Sequence, residues 1–395
     1  MINRKIEPVL YDLASKYPVV TLTGPRQSGK TTLCRKVFPE MAYANLESPD
    51  VREYAVTDPR GFLATYTDGV IIDEIQRAPQ LVSYIQGVVD ERKTTCQFIL
   101  TGSQQFEVMN TINQSLAGRT GLLKLLPFSI SEIKGRTLPA SLDALMLKGF
   151  YPRIHDQNLN PTQALGDYYE TYVERDLRQL ASIRDLSLFQ KFIRLCAGRI
   201  GQLLNLNSLA GDTGISHTTA HAWLSILEAS YIIFLLKPWY RNVSKRLIKS
   251  SKIYFYDVGL AAYLLGMESE VHVSRDPLRG NLFENLALME IIKYRFHSGR
   301  KNATTFYRDS RGNEVDMILE SGRDLFPVEV KSGATIADDF FKGLNYFSGS
   351  VSEAPYGCGL IYGGQEIQQR HNFHIYPVAA IEEMFGALNS AGFPY

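Results

Sequence analysis

Short apolar runs recur through the first third of the chain, at 19–23, 41–45, 70–73, 97–101 and 121–126, with helical or loop stretches between them. Runs of this length and spacing predict βα units around a parallel sheet. Between 128 and 202 the strand-like runs stop and amphipathic helices take over. In 165–180, Tyr168, Tyr172 and Arg175 recur at helical spacing, as in a helical lid or connector.

Positions 206–227 read as helix, tight turn, helix. Ser208 is placed to cap the first helix, Gly214 to take the φ > 0 turn position, and Ser216 to cap the second. A hairpin-like stretch follows over 231–256, ending in the strand-prone run 253–256, and the whole predicts a winged helix. From about 281 the pattern changes to a long helix, 282–296, then strands around 304–307, 314–319 and 326–330, a separate α/β module. The expected organisation is a core over 1–127, a helical connector over 128–202, a winged-helix domain over 203–266 and a last domain over 267–395.

Composition changes this picture little. With 42 Lys plus Arg against 41 Asp plus Glu, the chain carries no global charge that would mark a nucleic-acid or membrane partner, so any such partner must meet a local patch. Cys34, Cys96, Cys196 and Cys358 form neither a CxxC pair nor a disulfide framework and read as reduced core residues. The N-terminal stretch lacks a signal-peptide core, and no apolar run is long enough to span a membrane. A cytoplasmic protein is expected.

The chemistry concentrates after the first strand. Gly24-Pro25-Arg26-Gln27-Ser28-Gly29-Lys30-Thr31-Thr32 contains GxxxxGK[ST] between a β-branched strand and a helix, the context that motif requires. Backbone N–H groups turned inward by the glycines, with the positive helix start, cradle phosphates. Lys30 reaches the β/γ phosphates and the Thr31 hydroxyl ligates Mg²⁺. About forty residues on, a buried strand ends in Asp73 and Glu74. Asp73 is placed to hold the Mg²⁺ water shell and Glu74 to activate the attacking water. The next strand ends at Thr101-Gly102-Ser103-Gln104, beside the γ-phosphate in the position of a sensor. Phosphoryl transfer also gains from a cation supplied by a neighbouring subunit, for which Arg119 is the candidate; a solvated surface arginine is the other reading.

These runs, with Ile72-Asp73-Glu74-Ile75-Gln76-Arg77-Ala78-Pro79, Leu100-Thr101-Gly102-Ser103, Leu116-Ala117-Gly118-Arg119, Leu126-Pro127-Phe128-Ser129, Gly149-Phe150-Tyr151-Pro152 and Tyr172-Val173-Glu174-Arg175-Asp176, resemble a large prokaryotic family. Its members are called simply ATP-binding proteins: an AAA-like ATPase domain followed by a C-terminal domain of unknown function. The resemblance covers nearly the whole chain and implies the ASCE type of P-loop fold. It departs at Phe150, where a second glycine is common. The expected protein is thus an α/β P-loop ATPase that binds ATP and Mg²⁺ and acts as a homo-oligomer or on a protein partner.

Two further segments point to DNA. No acidic residue lies between 229 and 256, while Lys237, Arg241, Lys245, Arg246, Lys249 and Lys252 accumulate beside Trp239 and Tyr240. That is a phosphate-binding stripe next to a helix-turn-helix whose second helix begins with His217, Thr218, Thr219 and His221. Protein docking is the competing use of such a module. In the last domain, Glu284 on a helix, Asp316, and Glu329-Val330-Lys331 on a strand resemble the PD-(D/E)XK nucleases of restriction-endonuclease type. Strand alternation puts Glu329 and Lys331 on one face, so that the carboxylates would hold Mg²⁺ or Mn²⁺ while the lysine steadies water or phosphate. The same residues can instead form an ion-pair cluster.

Overall fold

The computed structural model describes residues 2–103, 115–174, 183, 185–240, 250–350 and 356–395. The first domain is a five-stranded parallel sheet of β1 (Val19–Thr23), β2 (Ala42–Asn45), β3 (Val70–Asp73), β4 (Phe98–Gly102) and β5 (Thr120–Lys124), in the order β2-β3-β4-β1-β5. Successive side chains of a strand point to opposite faces, so each strand feeds two cores. Val20, Leu22, Ile71 and Ile99 enter one with Leu10 and Leu33, whereas Val19, Val70, Ile72, Phe98 and Leu100 enter the other with Leu81 and Ile85. Helices cover both faces, which is why these strands read as unbroken apolar runs. The order also inserts β4 between β1, which leads into the phosphate loop, and β3, which ends in the carboxylates.

Among the described residues the connector contains the helices Ile130–Ile133, Leu142–Lys148, Pro152–Asp156, Pro161–Tyr168 and Leu186–Ala197. Within the stretch 165–180, where helical spacing is expected, the described part to 174 does not keep α register throughout. From Tyr169–Glu174 the backbone widens to a π-helix, which lets Tyr168, Tyr169 and Tyr172 all turn inward and become buried. Arg175 lies outside the described residues. Gly149 has φ +62°, and a Cβ there would stand 2.3 Å from Asp257 Oδ1. Asp257 uses its other carboxylate oxygen to accept from Phe150 N–H at 2.7 Å. The Gly149–Pro152 motif therefore docks the connector onto the start of the helix Val258–Leu264.

The helices Leu206–Thr213 and His217–Ala229 are joined through Gly214 at φ 91°. Ser216 caps the second, accepting from Thr219 N–H at 3.0 Å. The cap of the first is Asn205, which accepts from Ser208 N–H, so Ser208 lies one turn inside the helix instead of capping it. β6 (Ile233–Leu236) and β7 (Lys252–Phe255) then pair antiparallel as a two-stranded ribbon.

The last domain opens with the 19-residue helix Arg279–His297. It lies against a mixed sheet of β8 (Thr304–Arg308), β9 (Glu314–Ser321), β10 (Asp324–Lys331), β11 (Cys358–Tyr362), β12 (Gln368–Arg370) and β13 (Phe373–Pro377), ordered β12-β13-β11-β10-β9-β8. One hydrophobic core runs from Leu126 through the connector, the ribbon and the long helix to the C-terminal sheet. Among the described residues no helix is long and apolar enough to cross a membrane. Cys34, Cys196 and Cys358 are buried thiols and Cys96 is partly exposed.

Candidate functional site

The phosphate loop leaves the C-terminal end of β1. Gly24 passes so close to the neighbouring strand's exit that a Cβ would lie 2.1 Å from the Leu125 carbonyl oxygen, and Gly29 takes φ 90° at the start of the helix Lys30–Val37. Only glycine fits the first position, and it is favoured at the second. Arg4 braces the loop from behind, donating to the carbonyls of Ser28 at 2.8 Å and Leu126 at 2.6 Å and to Glu132 at 3.0 Å.

Lys30 is buried and donates to the carbonyls of Gly24 at 2.9 Å and Pro25 at 2.8 Å. Burial pulls its ammonium below the usual lysine range, against the opposing influence of Glu74 and Asp73. The Ser28 hydroxyl is buried with no hydrogen-bond partner. An orphaned donor and an under-compensated cation inside a cradle that excludes a Cβ fit an anionic phosphate.

Across the sheet, Asp73 gathers three hydroxyls. Thr31 and Tyr43 donate to Oδ2 at 2.9 and 2.8 Å, and Thr101 donates to Oδ1. Glu74 follows in the left-handed region at φ 56°, a conformation uncommon for a residue with a Cβ. Its carboxylate accepts from Ser103 at 2.9 Å and from the Gln76 amide. Thus β4, inserted between the two motif strands, delivers Thr101 and Ser103 to the two acids. Gln104 lies outside the described residues.

In front of the loop is a cleft of about 450 Å³ lined by Arg26, Lys30, Thr31, Glu74, Arg153 and Tyr172. A second, of about 410 Å³, shares Gln27, Arg153 and Thr171 and continues under the connector. Both are within the range of small-molecule sites. Arg153, Tyr43 and Gln76 had no role in the sequence reading. Arg153 sits one residue after the Gly149–Pro152 motif, so its signal was proximity to a motif and not a pattern of its own.

Arg119 is not brought to this cleft. It precedes the first residue of β5 and forms a two-point pair with Asp90, at 2.6 and 2.9 Å, on the edge of the sheet opposite the loop. A strand rises about 3.3 Å per residue, so the five residues of β5 separate Arg119 from its own loop by roughly the whole sheet.

Of the basic stripe, Arg241, Lys245, Arg246 and Lys249 lie outside the described residues, and Lys237 is exposed. Lys252 departs from the expectation. It is buried, with Nζ 3.0 Å from Glu284 Oε1, paired with Glu314 and 3.8 Å from Asp316 Oδ1, so it presents no charge to DNA. Trp239 is likewise in the core, against Tyr307 and Phe347, because the segment leaving β6 bonds to β8 through Phe306. His217, Thr218 and His221 are exposed on the second helix, with Thr219 half-buried.

Glu284, Asp316, Glu329 and Lys331 do converge. Lys331 Nζ lies 2.5 Å from Glu329 Oε1 and 3.9 Å from Asp316 Oδ2, and Asp316 Oδ2 accepts from Val330 N–H at 2.9 Å. Burial pushes the carboxyls of Glu284 and Glu329 up, to about 7 and about 8, with Asp316 adding to both. Burial opposes the charge on Lys252, yet Tyr254, Glu284, Asp316 and Glu314 hold its ammonium well above the usual lysine range.

Family models match the chain in three successive stretches: an AAA domain over residues 16–134, a domain of unknown function (DUF8612) over 139–271 and another (DUF4143) over 279–381. Uncharacterized protein Rv2008c of Mycobacterium tuberculosis and uncharacterized protein Mb2031c of Mycobacterium bovis are each 30% identical over 323 residues, which is 80% of this chain and 71% of theirs. Among solved structures, the Walker-type ATPase PABY2304 of Pyrococcus abyssi has TM-score 0.46 and 16% identity, covering 67% of this chain and 96% of that one. AMPPCP-bound DnaA from Aquifex aeolicus has TM-score 0.30 and 16% identity, covering 56% of this chain and 86% of that one. With its phosphate loop inside the AAA domain and 30% identity over 80% of its length, the chain belongs to the family of the mycobacterial proteins Rv2008c and Mb2031c.

Proposed function

We propose that the chain is a Mg²⁺-dependent ATPase whose nucleotide state is passed to a DNA-facing C-terminal half. The observation that carries this reading is the 2.9 Å hydrogen bond between Thr31 and Asp73, which joins two motifs 42 residues apart beside Glu74. A hydroxyl and a carboxylate are the hard oxygen donors that suit Mg²⁺, an ion commonly held by few protein groups and the substrate's own phosphates. When bound, it would neutralise charge developing on the phosphates.

In this mechanism the loop N–H groups and Ser28 bind the phosphates, and Lys30 exchanges its two carbonyl partners for phosphate oxygens. Glu74 takes the proton of the attacking water as general base. Thr101 and Ser103 sense the γ-phosphate through Asp73 and Glu74. Arg153 approaches the same cleft from the connector. Arg119, remote from its own loop, serves only a neighbouring copy, which makes a homo-oligomer the working form. The exposed His217, Thr218 and His221, with Lys237 nearby in sequence, support the DNA-facing part.

The test is ATP hydrolysis with Mg²⁺, with and without duplex and single-stranded DNA, using Lys30→Ala as blank. DNA-stimulated turnover that disappears in Lys30→Ala is the expected result. Turnover indifferent to DNA transfers the partner's role to a protein, and turnover no higher than the blank removes the ATPase reading.

A second reading, a nucleotide switch with slow turnover, is favoured by one observation: the Glu74 carboxylate is already engaged by Ser103 and Gln76. Tight ATP binding with negligible hydrolysis, even with DNA present, would select it. An ATP-regulated deoxyribonuclease acting at Asp316, Glu329 and Lys331 is disfavoured by a further lysine, Lys252, whose buried ammonium already lies among the carboxylates there.

A further inference from the structure

The carboxylates of the nuclease-like cluster surround a cation that the chain itself provides. Lys252 begins β7, outside the C-terminal sheet, and its side chain is 3% exposed. Its ammonium lies 3.0 Å from Glu284 and 3.8 Å from Asp316 and pairs with Glu314, while its other flank lies 5.5 Å from the centre of the Phe306 ring. Tyr254, two residues along the same strand, also donates its hydroxyl to Glu284. Two successive residues on one face of β7 are therefore spent on the carboxylate that a metal would need from the long helix.

The remaining oxygens are not arranged for a metal either. Asp316 Oδ2 is taken by Val330 N–H and Lys331, Glu329 Oε1 is paired with Lys331, and only Glu329 Oε2 is buried without a partner. Among the described residues no group of three or more acidic, histidine or cysteine side chains is disposed to hold a metal ion. A divalent ion entering here would meet a buried ammonium sharing its oxygens, and the two cations repel strongly where water is excluded.

We infer that Lys252 is the resident cation of this cluster: the ribbon of the preceding domain plugs the nuclease-like site, and no divalent metal binds there until Lys252 is withdrawn. The plug is an autoinhibitory contact between the ribbon and the C-terminal sheet. It stands apart from the ATPase reading, because no nucleotide is involved.

The experiment is a Mn²⁺ titration of the full chain without nucleotide, read by electron paramagnetic resonance. Each protein is compared with its Asp316→Asn counterpart, so that ions bound elsewhere cancel. Wild type and Lys252→Arg are expected to bind no Asp316-dependent ion over the titrated range, whereas Lys252→Gln gains one, half-filled at a Mn²⁺ concentration at least tenfold below the top of that range. An Asp316-dependent ion in the wild type overturns the inference, and so does the lack of any gain in a Lys252→Gln protein that still melts cooperatively. If Lys252→Gln does not fold, the wild-type and Lys252→Arg titrations decide: an Asp316-dependent ion in either overturns the plug, and none in both supports it.

Discussion

The hydroxyl of Tyr231 donates to Thr23 Oγ1 at 3.0 Å, a buried hydrogen bond that spans 208 residues. Thr23 ends β1 immediately before Gly24, and Tyr231, held at φ 58°, forms the turn from the helix His217–Ala229 into β6. Its neighbour Ser230 accepts from the Tyr172 hydroxyl at 3.4 Å, and the Tyr172 ring lies 5.4 Å from the Arg26 guanidinium. The turn into the ribbon thus touches the phosphate loop at Thr23, just before it, and through Tyr172 at Arg26 within it. In the coupling proposed above, these contacts would carry a change in loop position to the second helix and the ribbon.

Tyr231→Phe keeps the ring and deletes that bond. Removing one buried hydrogen bond costs about 1 kcal/mol, so the melting temperature is expected to fall by a few degrees. The informative readout is hydrogen exchange of 217–236 with and without ATP: a nucleotide-dependent change is expected in wild type and none in the variant. An unchanged nucleotide response would remove Tyr231 from the coupling route.

Glu74→Gln preserves shape and removes the proposed base. Nucleotide affinity is expected to stay within a few-fold of wild type while turnover drops by at least about 100-fold, the scale of losing general base catalysis. Ser103→Ala frees one of the two contacts on the Glu74 carboxylate and is expected to change turnover more than affinity. Equilibrium binding of a fluorescent ATP analogue and phosphate release separate the two effects. Full turnover in Glu74→Gln would assign the water-activating role elsewhere.

Arg119 lies at the end of the sheet away from its own cleft, so the proposed contribution to hydrolysis would have to come from a second copy. Arg119→Ala and Glu74→Gln are each expected to be nearly inactive alone. Mixed, they are expected to form interfaces in which one subunit supplies the arginine and the other the base, so that part of the wild-type rate returns. Failure of the mixture to recover any activity, with oligomers present by light scattering, would leave Arg119 as half of a surface pair with Asp90.

His155 and His297 are both buried, and burial lowers each imidazole to about 4. Gly149 carbonyl, Lys148, Lys293 and Asp156 surround the first; Glu132, Arg4, Lys293 and Glu382 face the second. In the unfolded chain they titrate near about 6.5. Their contribution is therefore complete above that value, declines as pH falls toward about 4, and changes no further below it, because the unfolded state binds the extra protons. Glu284 and Glu329, pushed up to about 7 and about 8, act in the opposite sense over the same range, so the histidine contribution is read as a difference between proteins. In denaturant unfolding at pH 7.5, 6 and 4.5, His297→Gln is expected to lose less stability on acidification than wild type, by about 2–3 kcal/mol, and an identical pH dependence in the two proteins would contradict it.

Gly149→Ala places a methyl group 2.3 Å from the Asp257 carboxylate at a φ suited to glycine. The expected cost is about 2–4 kcal/mol, since Asp257 also holds Phe150 N–H and caps its own helix. A thermal melt measures it, and a shift under one degree would mean that the junction yields at little cost.

Much of the first domain was legible because its information is local. Val19 to Thr23, then glycine, then Lys30 and Thr31, is a strand, a turn and a helix start in consecutive residues, and Asp73 and Glu74 end a run that only a buried strand explains. The same holds for the turn at Gly214, and for Glu329 and Lys331, whose shared face follows from strand alternation. Where the local rule was ambiguous it missed by little: Asn205 and not Ser208 caps a helix, since either polar residue satisfies the preference.

Other features were decided only by the assembled chain. The same lysine that reads as part of a basic stripe is a buried counter-ion, because β7 pairs with β6 and delivers Lys252 to three acids from two other segments, the long helix and β9. Arg4 at the loop, Tyr231 on Thr23 and Arg153 in the cleft carry no spacing signal, since their partners lie far away in sequence. Local sequence determines which residues can start a helix, end a strand or cradle a phosphate, because those depend on backbone geometry over a few residues. Which charges end up paired, and which surface is left for a partner, depends on the burial of whole faces, a free energy that exists only once every element is in place.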